Sequence, residues 1–172
     1  EFNKLDVETD LLEDNSTCNI LAALFLNKNE HQEIKTRINH LVPDCKSYQR
    51  VKKVLDSESK GIFQGKIYVK DEAQKTNAYQ LSKALLLHDD AEFNSKPELE
   101  IYADDVKCSH GSTSGSIDED SLHYLMTRGL NRKESTNLLI KGFLNDVVEF
   151  IKNPKIKEFV ENKLEEQING HK

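Results

Sequence analysis

The sequence predicts a β body of short strands closed by three C-terminal helices. Three observations carry that prediction. From about Cys18 to His110, apolar residues alternate with a spacing of two in short runs. Between the runs stand Asn27-Lys28-Asn29-Glu30, Pro43-Asp44 and Asp104-Asp105, residue types that turn the chain. After Gly115 the apolar spacing changes to three and four and stays there to the end.

The strands follow in order. Cys18, Ile20, Ala22, Leu24 and Leu26 alternate with a second apolar set, which suits a strand covered on both faces. Ile34, Thr36, Ile38 and His40 then share one face, with Lys35, Arg37 and Asn39 on the other. A further strand begins near Ser47 and carries Val51 and Val54. From Gly61, the residues Phe63, Gly65, Ile67 and Val69 point one way, and Gln64, Lys66, Tyr68 and Lys70 the other. Ala78 to Leu87 has helix-forming residues, but its length and spacing match its neighbours and predict a strand. Pro97 opens a strand in which Leu99, Ile101 and Ala103 face away from Glu98, Glu100 and Tyr102. After a phase slip at Asp104-Asp105, Val106, Cys108 and His110 share a face, with Lys107 and Ser109 opposite. Short strands at even intervals suit a sandwich, a barrel or a solenoid, and no repeating consensus chooses among them.

The helices carry their own punctuation. Ser116 with Glu119 reads as a capping box opening a helix that holds Leu122 and Leu125 and stops at Arg128-Gly129. Asn131 with Glu134 opens a second helix. Its stripe runs through Leu139, Ile140, Phe143, Leu144, Val147 and Val148 to Ile151, with Phe150 outside the seam. Asn153-Pro154 opens a third, whose buried side is expected to hold Ile156, Phe159, Val160, Leu164 and Ile168 before Gly170 ends it.

Charged residues make up 31% of the 172 residues and hydrophobic ones 37%, with net charge −6 and pI near 5.6. An acidic chain without basic runs interleaved with aromatics argues against nucleic-acid binding. No apolar stretch approaches the roughly 18 residues of a spanning helix. Cys18, Cys45 and Cys108 are far apart and odd in number, so neither a disulfide framework nor a closed zinc site is indicated, and a cytosol-like compartment is expected. The chain opens on Glu1-Phe2, without methionine or a signal-peptide pattern.

Cys108 and His110 are the one thiol and imidazole close together in sequence. Alone they are two ligands short of a tetrahedral metal site, and a small thiol beside a core imidazole is the plain reading. Asp104-Asp105 reads as a corner, and Asp118-Glu119-Asp120 as the acidic start of a helix. Gly111-Ser112-Thr113-Ser114-Gly115 lacks the Gly-Lys-Ser/Thr ending of a phosphate loop, and no glycine elbow or ordered triad is present.

From roughly Gly61 to Phe150 the chain closely resembles the SufB/SufD family of iron–sulfur cluster assembly scaffolds. The matching blocks are Phe63-Gln64-Gly65-Lys66-Ile67, Ala73-Gln74-Lys75-Thr76-Asn77-Ala78, Leu85-Leu86-Leu87 and Pro97-Glu98-Leu99-Glu100-Ile101. Asp104-Asp105-Val106-Lys107-Cys108-Ser109-His110-Gly111, Leu122, Tyr124-Leu125, Arg128-Gly129 and Gly142-Phe143 continue the match. Ser109 and Gly111 around His110 look like the SufD type, where the SufB type carries glutamates. Ser112 and Asn131 are minor departures.

The resemblance implies the C-terminal part of a longer protein: the end of a right-handed parallel β-helix over residues 1–115, then a helical domain over 116–172. It implies a non-enzymatic subunit that pairs with SufB, or with itself, through β-helix ends and docks the SufC ATPase on its helices. His110 and Cys108 become candidate transient ligands of an iron–sulfur cluster shared with SufB, with no cofactor held tightly by the isolated chain. Tyr124, Leu125, Arg128, Gly129, Gly142 and Phe143 become the candidate SufC-docking residues. A cytoplasmic or plastid location is implied, with no nucleic acid or membrane as partner. Two other classes compete: a polysaccharide-cleaving β-solenoid enzyme, which needs exposed acidic or basic groups along one groove, and a self-contained metalloprotein.

Overall fold

The computed structural model describes residues 1–170; His171 and Lys172, at the end of the expected helical domain 116–172, lie outside the described residues. Eight strands of ten residues come first: β1 Phe2–Leu11, β2 Thr17–Leu26, β3 His31–His40, β4 Lys46–Leu55, β5 Lys60–Val69, β6 Asn77–Leu86, β7 Glu92–Ile101 and β8 Lys107–Ser116. Helices α1 Glu119–Thr127, α2 Arg132–Val148 and α3 Pro154–Gly170 follow.

Odd strands form one sheet in the order β1-β3-β5-β7, and even strands a second in the order β2-β4-β6-β8. Every pairing is parallel and in register. The chain therefore changes sheet at each corner, two strands make one coil, and the coils stack as a parallel β-solenoid. Phe2 pairs with His31 and His31 with Lys60, a coil of roughly 30 residues.

Alternation decides which side chains fill the narrow interior. Ile34, Ile38, Phe63, Ile67 and Val69 of the first sheet are buried, facing Val51 and Leu55 of the second. Corners stack as the strands do: Asp44 N–H donates to Gln74 O at 2.9 Å, and Lys75 N–H to Asp105 O at 2.6 Å. Asn15, Asn29, Asp44, Glu58 and Lys75 each take a left-handed backbone in these corners, with φ from 54 to 64°. Asn and Asp tolerate that conformation; Glu58 and Lys75 adopt it because the stacked corner requires it.

The outer face of the second sheet is apolar at one end, and the helices cover it. Phe25, Val54 and Leu85 lie side by side in register on that face. They pack against Ile140, Leu144 and Val148 of α2 and Leu164 and Ile168 of α3. Each such fully buried side chain contributes about 1.5–3 kcal/mol. Asn131 and Glu134 form the capping box that starts α2, and Gly129, at φ 99°, ends the turn after α1.

Several expectations hold and several are corrected. Ala78 to Leu87 is strand, as its spacing indicates, despite its helical propensity. β1 is an additional strand within the N-terminal residues, which the alternation from Cys18 onward did not include. Pro97 stands in the middle of β7 rather than at its start. The missing N–H is tolerated because β7 is an edge strand. The strand through Cys108 and His110 runs on to Ser116, since pairing with β6 recruits the Gly-Ser segment. The cap of α1 is Asp118, which accepts from Ser121 N–H, and not Ser116, which still belongs to β8. On α3, Leu164 and Ile168 are buried, but Ile156 and Phe159 are 53% and 62% exposed because the helix meets the body only near its C-terminal half.

Candidate functional site

β6 turns Ala78, Gln80, Ser82 and Ala84 into the solenoid, and all four are buried. β8 pairs with it in register, Cys108 beside Ala78 and His110 beside Gln80. Parallel in-register strands keep each ladder on one side, so Cys108 and His110 face the interior of the last coil. Among the described residues no further strand stacks on β7 and β8. Their outer edges are open, and His110, inward by register, is exposed at the mouth.

Cys108 is half-buried beside the cluster of Ile67, Ala73, Ala78 and Ala103. Burial pushes its thiol pKa up, and a backbone hydrogen bond at Ala78 opposes this only in part. The thiol is thus held protonated at neutral pH, whereas metal binding needs the thiolate. An exposed imidazole fits an iron ligand with less rearrangement. Among the described residues no three His, Cys, Asp or Glu side chains come together as a metal site.

Beneath His110 runs a buried polar column. Thr36 Oγ1 donates to Gln49 Oε1 at 2.6 Å, Gln49 Nε2 to Gln80 Oε1 at 3.3 Å, and Gln80 Nε2 to Gly65 O at 3.2 Å. A Cβ on Gly65 would lie 2.6 Å from the Gln80 carboxamide, so a side chain there would have to displace it from its place between the sheets. Lys53 is also fully buried and donates from Nζ to Gln32 O at 3.0 Å and Ile62 O at 2.6 Å. Burial lowers its pKa to about 7, with Glu33 pulling the other way. His40 pairs through Nε2 with Ser47 Oγ at 2.9 Å, and burial lowers its pKa to about 4. Sequence reading missed Gln49, Gln80 and Lys53. Their signal is that they fall on the inward phase of β4 and β6, between Ser47 and Leu55 and between Ala78 and Ala84.

The candidate docking residues divide between two faces. Tyr124 is 57% exposed on α1, Leu125 is half-buried beside it, and the two line an open trough with Leu138 and Leu139 of α2. The Arg128 guanidinium lies 5.1 Å from the Tyr124 ring, and Gly129 follows it at the surface. Gly142 is exposed, with nothing within 4 Å of a Cβ placed there. Phe143 turns toward the solenoid instead. It packs against the cluster under α2 and α3, with Lys52 Nζ 4.6 Å from its ring centre, and its carbonyl accepts from Lys52 Nζ at 2.8 Å.

A polar clasp completes that junction. Asp146 of α2 accepts from Arg50 at 2.7 Å and lies 2.6 Å from Lys52 Nζ. Phe150 stacks on Tyr48, and Tyr48 on Tyr79, continuing the attachment along the second sheet. No helix among the described residues is long and apolar enough to cross a membrane.

Residues 1–143 match the family described as SUF system FeS cluster assembly, SufBD core domain. The chain is 34% identical over 165 residues to the iron–sulfur cluster assembly protein SufD of Escherichia coli (strain K12), covering 96% of this chain and 39% of that protein. It is 41% identical over 114 residues to an iron–sulfur cluster assembly SufBD family protein of Synechocystis, covering 66% of this chain and 25% of the relative. It is 40% identical over 109 residues to the chloroplastic protein ABCI7 of Arabidopsis thaliana, covering 63% and 23%. The chain therefore spans between about a quarter and two-fifths of the length of these relatives.

Proposed function

Because this chain belongs to the SufBD core family of the SUF iron–sulfur cluster assembly system, we propose that it is the C-terminal part of a SufD-like, non-catalytic scaffold subunit. The carrying observation is His110: an imidazole on the inward face of the last coil, exposed at an open strand edge. In this reading the open coil meets SufB, and His110 offers one ligand to a cluster whose remaining ligands come from the other chain. The iron–sulfur cluster is cargo, held transiently. Cys108 is the subordinate ligand, since its thiol must first lose a proton that burial retains.

SufC docks on the surface of Tyr124, Leu125, Arg128 and Gly129, with Gly142 nearby on α2; Phe143 supports that surface from beneath by tying α2 to the body. The clasp at Asp146 supports a coupling role, in which ATP-driven closure of two SufC subunits pulls on the helices and strains the seam at β8. The compartment is the cytoplasm or a plastid stroma, a reading supported by the chloroplastic Arabidopsis relative.

The test is His110→Ala in the full-length protein co-produced with SufB and SufC. Cluster yield should fall by about tenfold, the order expected when a metal ligand or its support is lost. SufB and SufC should still co-purify. An undiminished yield would return His110 to a structural role.

A further inference from the structure

We infer that Ser82, Ser95 and Ser112 form a hydroxyl cradle inside the last coil that donates hydrogen bonds to the inorganic sulfide of the iron–sulfur cargo. This rests on the reading of His110 as the residue that meets that cargo.

The three serines stand at one level of the solenoid. Gln80 Nε2 donates to Gly65 O at 3.2 Å, and Ala78 shares a cluster with Ile67, so β6 runs back across the coil from β5 and Ser82 stands opposite Phe63. In the last coil Leu99 and Cys108 pack on one cluster, which by the same count sets Ser112 opposite Ser95. The ladders join the two coils: Ser82 pairs in register with Ser112, and Phe63 with Ser95. Ser112 follows His110 on the inward phase of β8, two residues or about 6.6 Å along the strand.

One coil down, the same level is apolar. Ile34 and Val51 form a buried cluster there with Phe63. Above Val51 the ladder changes to Ser82, which is 1% exposed, and above Phe63 to Ser95. The Oγ atoms of Ser82 and Ser95 are buried and have no hydrogen-bond partner among the described residues. An unpartnered buried hydroxyl costs folding free energy that an alanine in its place would not. Ser112 is exposed and completes the set at the mouth. Three hydroxyls thus converge beside His110, and no hydrogen bond joins them to one another.

The surroundings select the ligand. No lysine or arginine stands on the inward phase of β7 or β8, so a phosphate-like anion would lack a counter-charge. A sulfide bound to iron has its counter-charge in the metal and still accepts hydrogen bonds from hydroxyls. Hydrogen bonds to cluster sulfur help set its reduction potential.

The test is spectroscopic, on the full-length protein co-produced with SufB and SufC and reconstituted with ferrous iron and sulfide. Resonance Raman bands of the Fe–S stretches should shift on exchange of H2O for D2O. Ser82→Ala and Ser95→Ala should each reduce that shift and move the reduction potential to more negative values. The melting temperature of the subunit alone should stay the same or rise, since alanine removes only an unpartnered hydroxyl. Exchange-insensitive bands in the unaltered complex, or a shift and potential that ignore both substitutions, would overturn the cradle. A lower melting temperature with an unchanged spectrum would also overturn it, assigning the hydroxyls to an ordered structural water only. Normal cluster yield in His110→Ala beside a serine-dependent shift would remove the ligand and keep the cradle; the reverse pattern would remove the cradle and keep the ligand.

Discussion

Asp146 of α2 accepts a hydrogen bond from Arg50 of β4 at 2.7 Å, and that contact fixes where the helices sit on the solenoid. Arg50 is largely buried, its guanidinium carbon 5.2 Å from the ring centre of Tyr48 and 4.7 Å from that of Phe150, so its charge needs the carboxylate. Lys52, more buried still, shares it.

Asp146→Ala is therefore expected to lower stability by about 1–3 kcal/mol, through two under-satisfied cations. Urea unfolding of this variant beside the unaltered chain measures it. The carboxyl of Asp146 is held below the usual range, chiefly by its hydrogen bond to Lys52. Its contribution is present above the unfolded value near 3.9 and is lost as pH falls through the lower folded value. Asp146→Asn should lack that acid limb; an identical acid profile would show that the clasp carries no charge-dependent stability.

Lys53 should make stability rise with pH above neutrality. Its folded pKa of about 7 lies below the ordinary lysine value of 10.5, so between those values the unfolded chain binds the extra proton. Raising pH through that window favours the folded chain by at most about 1.4 kcal/mol per unit. Lys53→Met should flatten the profile between about pH 7 and 10. An unchanged slope would mean that Lys53 stays charged in the fold.

Gly65→Ala is expected to lower stability by about 1–3 kcal/mol, because its Cβ meets the Gln80 carboxamide at 2.6 Å. The loss should shrink in a Gln80→Ala background, where the obstacle is gone. Thermal melts of the four chains give the coupling; strict additivity would argue that the two side chains do not compete for one space.

The helical trough offers a cleaner test of SufC docking than Phe143. Tyr124→Asp and Leu138→Asp alter side chains 57% and 48% exposed, so the melting temperature should stay within a few degrees. SufC capture by the full-length protein should fall at least about tenfold, the loss of roughly 1.4 kcal/mol. Phe143→Asp would place a carboxylate against the core under α2, and its effect on capture would be mixed with unfolding. Full capture by both trough variants would move the docking site elsewhere.

The strands, the helices and the candidate site were legible in the sequence to different depths. Local periodicity fixed the inward face of β3 and β5, through Ile34, Ile38, Phe63 and Ile67, because a two-residue period reports burial directly. Capping chemistry located the start of α2 at Asn131, since Asn131 and Glu134 satisfy each other's backbone within one turn. Resemblance, and not periodicity, pointed to a solenoid and to His110. Long-range partners were invisible: β8 extends to Ser116 only because β6 offers ten backbone partners, and Pro97 can stand mid-strand only because β7 is an edge.

By itself, then, the sequence determined which residues alternate, where the period changes from strand to helix, and which residues could ligate a metal. These depend on neighbours a few positions apart. The tertiary structure decided that Gln80 lies under His110, that Lys53 is sealed inside, and that Asp146 meets Arg50. Those relations join residues from 9 to 96 positions apart, Lys53 with Ile62 and Arg50 with Asp146 at the extremes. They exist because stacked coils place one coil's side chains on the next, a registry set by the backbone ladder and not by local propensity.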